Sequence, residues 1–173
     1  MVAYHDDEWG RPITDDAGLF ERLVLESFQA GLSWSTILRK RAAFRLAFGG
    51  FDPASVAAYG DRDRARLMAD AGIVRNRAKI DATIGNAGGF LAIARELGSF
   101  ELYLRTIVPE PARPLPADAL SGSIPASTPA SGALSKDLQA RGFRFVGPTI
   151  TYAFMQSVGL VDDHLPGCFR YRG

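Results

Sequence analysis

An all-α fold is what this 173-residue sequence predicts, and three observations predict it. No segment alternates apolar and polar residues for any length, so β-structure is expected to be minor. Apolar residues recur instead at three- and four-residue spacings, several of these stretches following a residue able to cap a helix. Glycine and proline punctuate the gaps between these stretches.

The elements follow in chain order. Residues 1–15 are polar and aromatic, with Gly10 and Pro12 interrupting any regular element. Asp15 or Asp16 can cap a helix over about 17–30 that carries Leu19, Leu23 and Ala30 on one stripe. Gly31 ends it, and Ser33 or Ser35 starts a second helix carrying Ile37, Leu38, Ala42 and Leu46. Asp52-Pro53 reads as a cap followed by proline at the first helical position, so a third helix begins there. Asp61 opens a fourth with Leu67 and Met68, closed near Gly72. A long helix spans about 75–97, loosened by Gly85, Gly88 and Gly89, and a short one covers 100–108. Between Pro109 and Ser131 the composition shifts to Pro, Ala, Ser and Gly. That stretch is either a disordered linker or an ordered connection in which Ser131 caps a helix over 132–141. The last helix covers about 148–158. The length suits one compact domain over 1–173 or two small lobes sharing a core, with predicted helices over about 15–108 and again over about 132–158.

Bulk properties narrow the function classes. Twenty Lys and Arg face nineteen Asp and Glu, so no global basic field points to nucleic acid, and any DNA contact must be local. One cysteine excludes an internal disulfide and fits a reducing cytosol. No apolar run approaches the ~20 residues of a membrane span, and the N-terminus lacks the basic start and apolar core of a signal peptide. The expected setting is cytoplasmic, with no membrane partner.

Four groups of residues could carry chemistry. Glu26 lies on the Leu19–Leu23–Ala30 stripe, where a carboxylate is desolvated unless it lines a cavity or meets a partner. The plainer reading has it leaning into solvent or pairing with Arg22. Trp34, just past the glycine turn, is either core packing or a stacking face for a flat cationic ligand, and Tyr4 and Trp9 are open to the same two readings. The stretch Gly142-Phe143-Arg144-Phe145-Val146-Gly147-Pro148-Thr149 is either an ordinary turn or a phosphate grip made of backbone N–H groups, with Lys136, Arg141 and Arg144 nearby. His164 and Cys168, four apart, can share one metal ion with His5, although three ligands leave a tetrahedral site one short. Unrelated surface histidines are the alternative, and nothing supplies the nucleophile motif of a Cys/His hydrolase.

Taken as ordered blocks, the sequence resembles the DNA-3-methyladenine glycosylase I family. The blocks are Tyr4-His5-Asp6-Asp7-Glu8-Trp9-Gly10, Leu25-Glu26 with Gln29-Ala30-Gly31-Leu32-Ser33-Trp34, and Asp70-Ala71-Gly72-Ile73-Val74-Arg75 with Lys79-Ile80. They continue with Ile84-Gly85-Asn86-Ala87, Ser135-Lys136, Arg141-Gly142-Phe143, Phe145-Val146-Gly147 and Gly159-Leu160-Val161-Asp162-Asp163-His164. The resemblance implies a helix-hairpin-helix glycosylase fold with the base pocket between two helical lobes, and excision of 3-methyladenine from alkylated double-stranded DNA by a monomer. It implies that Glu26 recognises the edge of the flipped base, Trp34 stacks on it and Tyr4 helps close the pocket. It makes Phe145, Gly147 and Thr149 the DNA-binding hairpin, and turns the Pro/Ser-rich stretch into an ordered connection.

Two departures accompany it. The family's structural zinc takes an N-terminal cysteine that this chain, beginning at Met1, does not contain. The expected metal set is therefore His5, His164 and Cys168 alone, with an incomplete zinc or none. Asp162 stands where many members carry asparagine. It is either a carboxylate stabilising the cationic sugar or a partner that orients His164. Against the enzyme stands a non-catalytic DNA-binding module with a disabled pocket, although a pure DNA clamp needs neither Glu26 nor Trp34.

Overall fold

The computed structural model describes residues 1–109 and 114–173, and among these the regular structure is entirely helical. The described residues hold α1 (Val2–Asp7), α2 (Asp16–Gln29), α3 (Trp34–Ala47), α4 (Pro53–Ala57), α5 (Asp61–Ala69), α6 (Arg77–Leu97), α7 (Phe100–Ile107), α8 (Pro129–Ala140) and α9 (Pro148–Ser157). Single 3₁₀ turns stand at Gly49–Phe51 and Ser121–Ser123. None of the helices is long and apolar enough to cross a membrane.

Most boundaries follow from caps. The side chains of Asp15, Ser33, Asp52, Asn76 and Ser99 each accept a backbone N–H from the first turn of α2, α3, α4, α6 and α7. Three expectations need correction. The polar N-terminal stretch is not irregular throughout, because Val2–Asp7 forms α1. Thr128, not Ser131, caps α8; Ser131 is the third helical residue and completes a reciprocal capping box with Thr128. On α3 the buried face is Ile37, Phe44 and Ala47, and Leu46 is 85 % exposed. Leu46 lies nine residues past Ile37, two and a half turns on, so it projects from the opposite face. Of the Pro/Ser-rich connection, residues 110–113 lie outside the described residues. The rest contains the Ser121–Ser123 turn, and the Leu115 carbonyl accepts a hydrogen bond from the Tyr171 hydroxyl at 2.7 Å.

The fold is organised around α2. Ten consecutive residues, Leu19–Phe28, are buried, because α3, α4, α6, α7 and α9 all pack on this helix. Its apolar residues join one continuous core with Phe44, Phe48, Phe90, Phe100, Leu134, Leu138, Phe154 and Met155, so α8 and α9 share their core with the rest. Burying polar side chains on such a helix is costly unless they find partners. Glu21 takes Arg41 and Arg45, Arg22 takes Glu8, and Ser27 donates to the carbonyls of Leu23 and Phe145. Glu26 alone among the buried polar residues of α2 takes no hydrogen bond from the described residues.

Candidate active site

Glu26 opens into a cavity of about 340 Å³. Tyr4 and His5 from α1 lie on one side, Glu26 and Gln29 on the wall formed by α2, Trp34 at the start of α3, and Ala153 and Gln156 on α9. The turn between α2 and α3 sets this arrangement. Gly31 takes a positive φ of 83°, and the Ser33 cap places Trp34 in the first turn of α3, facing back toward α2. The end of α2 is held from below by Lys79, whose ammonium donates to the carbonyls of Phe28 (2.9 Å) and Ala30 (2.7 Å).

The cavity has aromatic walls and a few unpaired polar atoms. The rings of Tyr4 and Trp34 lie 5.3 Å apart at 53°. The Tyr4 hydroxyl and the Trp34 indole N–H are buried without a hydrogen-bond partner among the described residues. Burial pushes the Glu26 carboxyl up to about 8, with the nearby Arg22 charge pulling the other way. Burial also raises the Tyr4 phenol well above its ordinary value. Arg22 does not pair with Glu26. Its guanidinium donates to Glu8 at 2.6 Å and lies over the Tyr4 ring, 4.9 Å from its centroid. Glu8 in turn binds Arg41, and this chain of charges fastens α1, and with it Tyr4, onto α2 and α3. The result is a slot for a flat ring that both donates and accepts hydrogen bonds, next to a carboxylate that favours a positively charged occupant.

The structure brings Glu26, Trp34 and Tyr4 together, with Trp9 on the same rim. Gln156 was not singled out from the sequence. It lines the cavity while its amide donates to Asp163 at 2.6 Å, and Asp163 also accepts from the Tyr152 hydroxyl at 2.6 Å. Its only signal in the sequence is a lone glutamine near the end of the last helix. Phe145, Gly147 and Thr149 do not line the cavity; they lie on the turn before α9 and at its start, with Phe145 in the left-handed region at φ 55°. α9 therefore carries the hairpin at one end and the cavity wall at the other.

His5, His164 and Cys168 also converge. The Cys168 thiol lies 3.5 Å from His5 Nε2, and the two imidazoles meet edge to face at 5.5 Å. Asp162 binds His164 Nδ1 at 2.6 Å, which is the geometry of an orienting partner, and it is absent from the cavity lining. That leaves His164 Nε2 buried and without a hydrogen-bond partner among the described residues. Among the described residues, no three His, Cys, Asp or Glu side chains already form a group that could hold a metal ion. The donor types, two imidazole nitrogens and a thiol, suit zinc, and the orphaned Nε2 is the atom such an ion would take.

Comparison with known proteins places this geometry. The pattern of the family described as methyladenine glycosylase matches residues 1–171. The chain is 51 % identical over 172 residues to DNA-3-methyladenine glycosylase 1 of Escherichia coli, covering 99 % of this chain and 91 % of that protein. It is 45 % identical over 168 residues to DNA-3-methyladenine glycosylase of Haemophilus influenzae, covering 96 % and 90 %. It superimposes with a TM-score of 0.94 on a variant of 3-methyladenine DNA glycosylase I in complex with 3-methyladenine, at 37 % identity and covering 99 % of this chain and 92 % of that one. The chain belongs to the methyladenine glycosylase family.

Proposed function

We propose that the protein is a DNA-3-methyladenine glycosylase: it extrudes the methylated base from alkylated double-stranded DNA and hydrolyses its glycosidic bond. The observation that carries this reading is Glu26, a buried carboxyl group in an aromatic-walled cavity that takes no hydrogen bond from the described residues. Methylation at N3 makes adenine a cation, which weakens the bond to the sugar and makes the base a good leaving group. In the reaction the C1′–N9 bond breaks and its electron pair passes to the base, neutralising it. Water oxygen bonds to C1′ and releases a proton to solvent. The enzyme needs to select and hold the extruded base more than to protonate it.

In this proposal Glu26 binds the edge and the charge of the flipped base, Trp34 stacks on it, and Tyr4 closes the slot with its free hydroxyl directed at the ring. Neutral adenine gains little from an ionised Glu26, so charge is the discriminator. Phe145, Gly147 and Thr149 hold the DNA backbone through the hairpin and the first turn of α9, a helix-hairpin-helix grip on phosphate. Among the described residues no lysine lines the cavity, and the Lys79 ammonium is committed to two carbonyls, which supports base release without strand cleavage. The protein acts as a cytoplasmic monomer. A zinc held by His5, His164 and Cys168 belongs to the same reading as a structural tie between the chain ends, with no part in the chemistry.

The test is base release from duplex DNA carrying alkylated purines, with the freed bases separated and the strands examined for nicks. The expected result is 3-methyladenine without nicking, sharply reduced in Glu26→Gln. Tight duplex binding with no base released would replace the enzyme by a DNA-binding module.

A further inference from the structure

The turn between α8 and α9 is held by three buried side chains that the base cavity does not use. Asn86 of α6 makes two bonds to one residue: its amide donates to the Arg144 carbonyl and its oxygen accepts the Arg144 N–H, both at 2.9 Å. Ser27 of α2 donates to the Phe145 carbonyl at 2.9 Å. Ser135 of α8 donates to the Val146 carbonyl at 2.7 Å. Three consecutive carbonyls are thus turned inward, onto three different helices. The amides of Gly147, Thr149 and Ile150 take no partner among the described residues. Asn86 and Ser27 are 4 % and 5 % exposed, and Ser27 directly follows Glu26 on α2.

We infer that Asn86 and Ser27 are positioning residues that hold the hairpin in register with the base cavity. The inference rests on the proposed grip of the hairpin on DNA. A phosphate and the base extruded beside it are joined by a nearly fixed length of backbone, so grip and cavity must be held at a matching separation. Ser27 ties the hairpin to the residue next to Glu26, and Asn86 ties it to α6, which also carries Lys79 beneath the end of α2. Phe145 is kept in its left-handed conformation between these two anchors. Without them the backbone around 144–146 can relax toward a commoner conformation, and its N–H groups lose their fixed aim.

The experiment compares wild type, Asn86→Ala and Ser27→Ala by steady-state excision from alkylated duplex, by affinity for undamaged duplex, and by binding of free 3-methyladenine. Both tryptophans of the chain, Trp9 and Trp34, line the cavity, so their fluorescence reports the free base directly. In Asn86→Ala we expect KM for DNA and Kd for duplex to rise roughly tenfold. We expect kcat to stay within about threefold and free-base affinity within about twofold, because the cavity is untouched. Ser27→Ala, which keeps a good helix former in α2, moves the same quantities in the same direction and decides the matter if Asn86→Ala does not fold. Unchanged KM and duplex affinity in a folded variant would overturn the inference, as would a parallel loss of free-base binding. A wild-type protein that releases no base would sink the proposed activity, yet duplex affinity would still read the hairpin's anchors.

Discussion

Burial and the charge of Arg22 pull on Glu26 in opposite directions, and burial prevails, so its carboxyl sits at about 8 against an ordinary 4.5. The native state therefore keeps a proton that the unfolded chain releases. This contribution is fully present below about pH 4.5, declines as pH rises, and is lost above about pH 8. Glu26→Gln removes the penalty of ionising a buried carboxyl. We predict that this variant melts above wild type at pH 9 and that the difference disappears toward pH 4; a difference that does not vary with pH would exclude burial as its cause. In the enzyme the same group predicts kcat/KM rising through about pH 8 in wild type and not in the variant, followed by base release against pH. A cationic base in the cavity favours the ionised carboxyl, so the limb in kcat lies lower. From sequence, Glu26 was legible as a carboxylate on an apolar face, since its spacing from Leu19 and Leu23 is a property of the chain. Its lack of a partner was not legible, because Arg22, one turn away, is claimed by Glu8 from a different element.

At the scale of elements, α6 is the platform on which the hairpin rests. From sequence, Gly85, Gly88 and Gly89 weaken this helix, yet Arg77–Leu97 runs unbroken. Gly89 has a packing reason, since a Cβ there would fall 2.5 Å from the Phe143 ring. We predict that Gly89→Ala displaces Phe143 and costs about 1–3 kcal/mol despite the better helix propensity of alanine. The measurement is urea unfolding, read as a lower midpoint at unchanged slope; a stabilised variant would show that propensity outweighs the contact. Helix starts were readable where one clear cap lies within three residues of the amide it accepts, as at Asp15, Ser33 and Asp52. The start of α8 was misplaced because both Thr128 and Ser131 can cap, and proline at 129 settles the choice in favour of Thr128.

Over the whole molecule, the two ends of the chain meet beside the cavity. Arg170 donates to the Trp9 carbonyl at 2.8 Å, Cys168 touches His5, and the Trp9 ring packs edge-on against His164 at 4.8 Å. Since α1 carries Tyr4, whatever secures the ends also secures one wall of the slot. If zinc bridges His5, His164 and Cys168, the purified protein contains about one equivalent, and removal by a chelator lowers the melting temperature and loosens free-base binding. Metal-free protein with the same melting temperature and affinity would show that the hydrogen bonds suffice. Because one core joins α2 to α9, we expect loss of this tie to leave the central helices folded.

Sequence alone determined the helical class, most helix positions, and which residue types were available for a cationic aromatic ligand. These depend on spacing, caps and side-chain chemistry within about one turn of chain. Tertiary structure decided which polar groups go unpaired. Glu21, Arg22, Glu26 and Ser27 all lie on the same buried helix, and only the partners brought by α1, α3 and the hairpin leave Glu26 free. The same holds for the exposure of Leu46, the room made by Gly89, and the closeness of residues 5 and 168. Each is a matter of what distant segments do on packing, and no local pattern carries it.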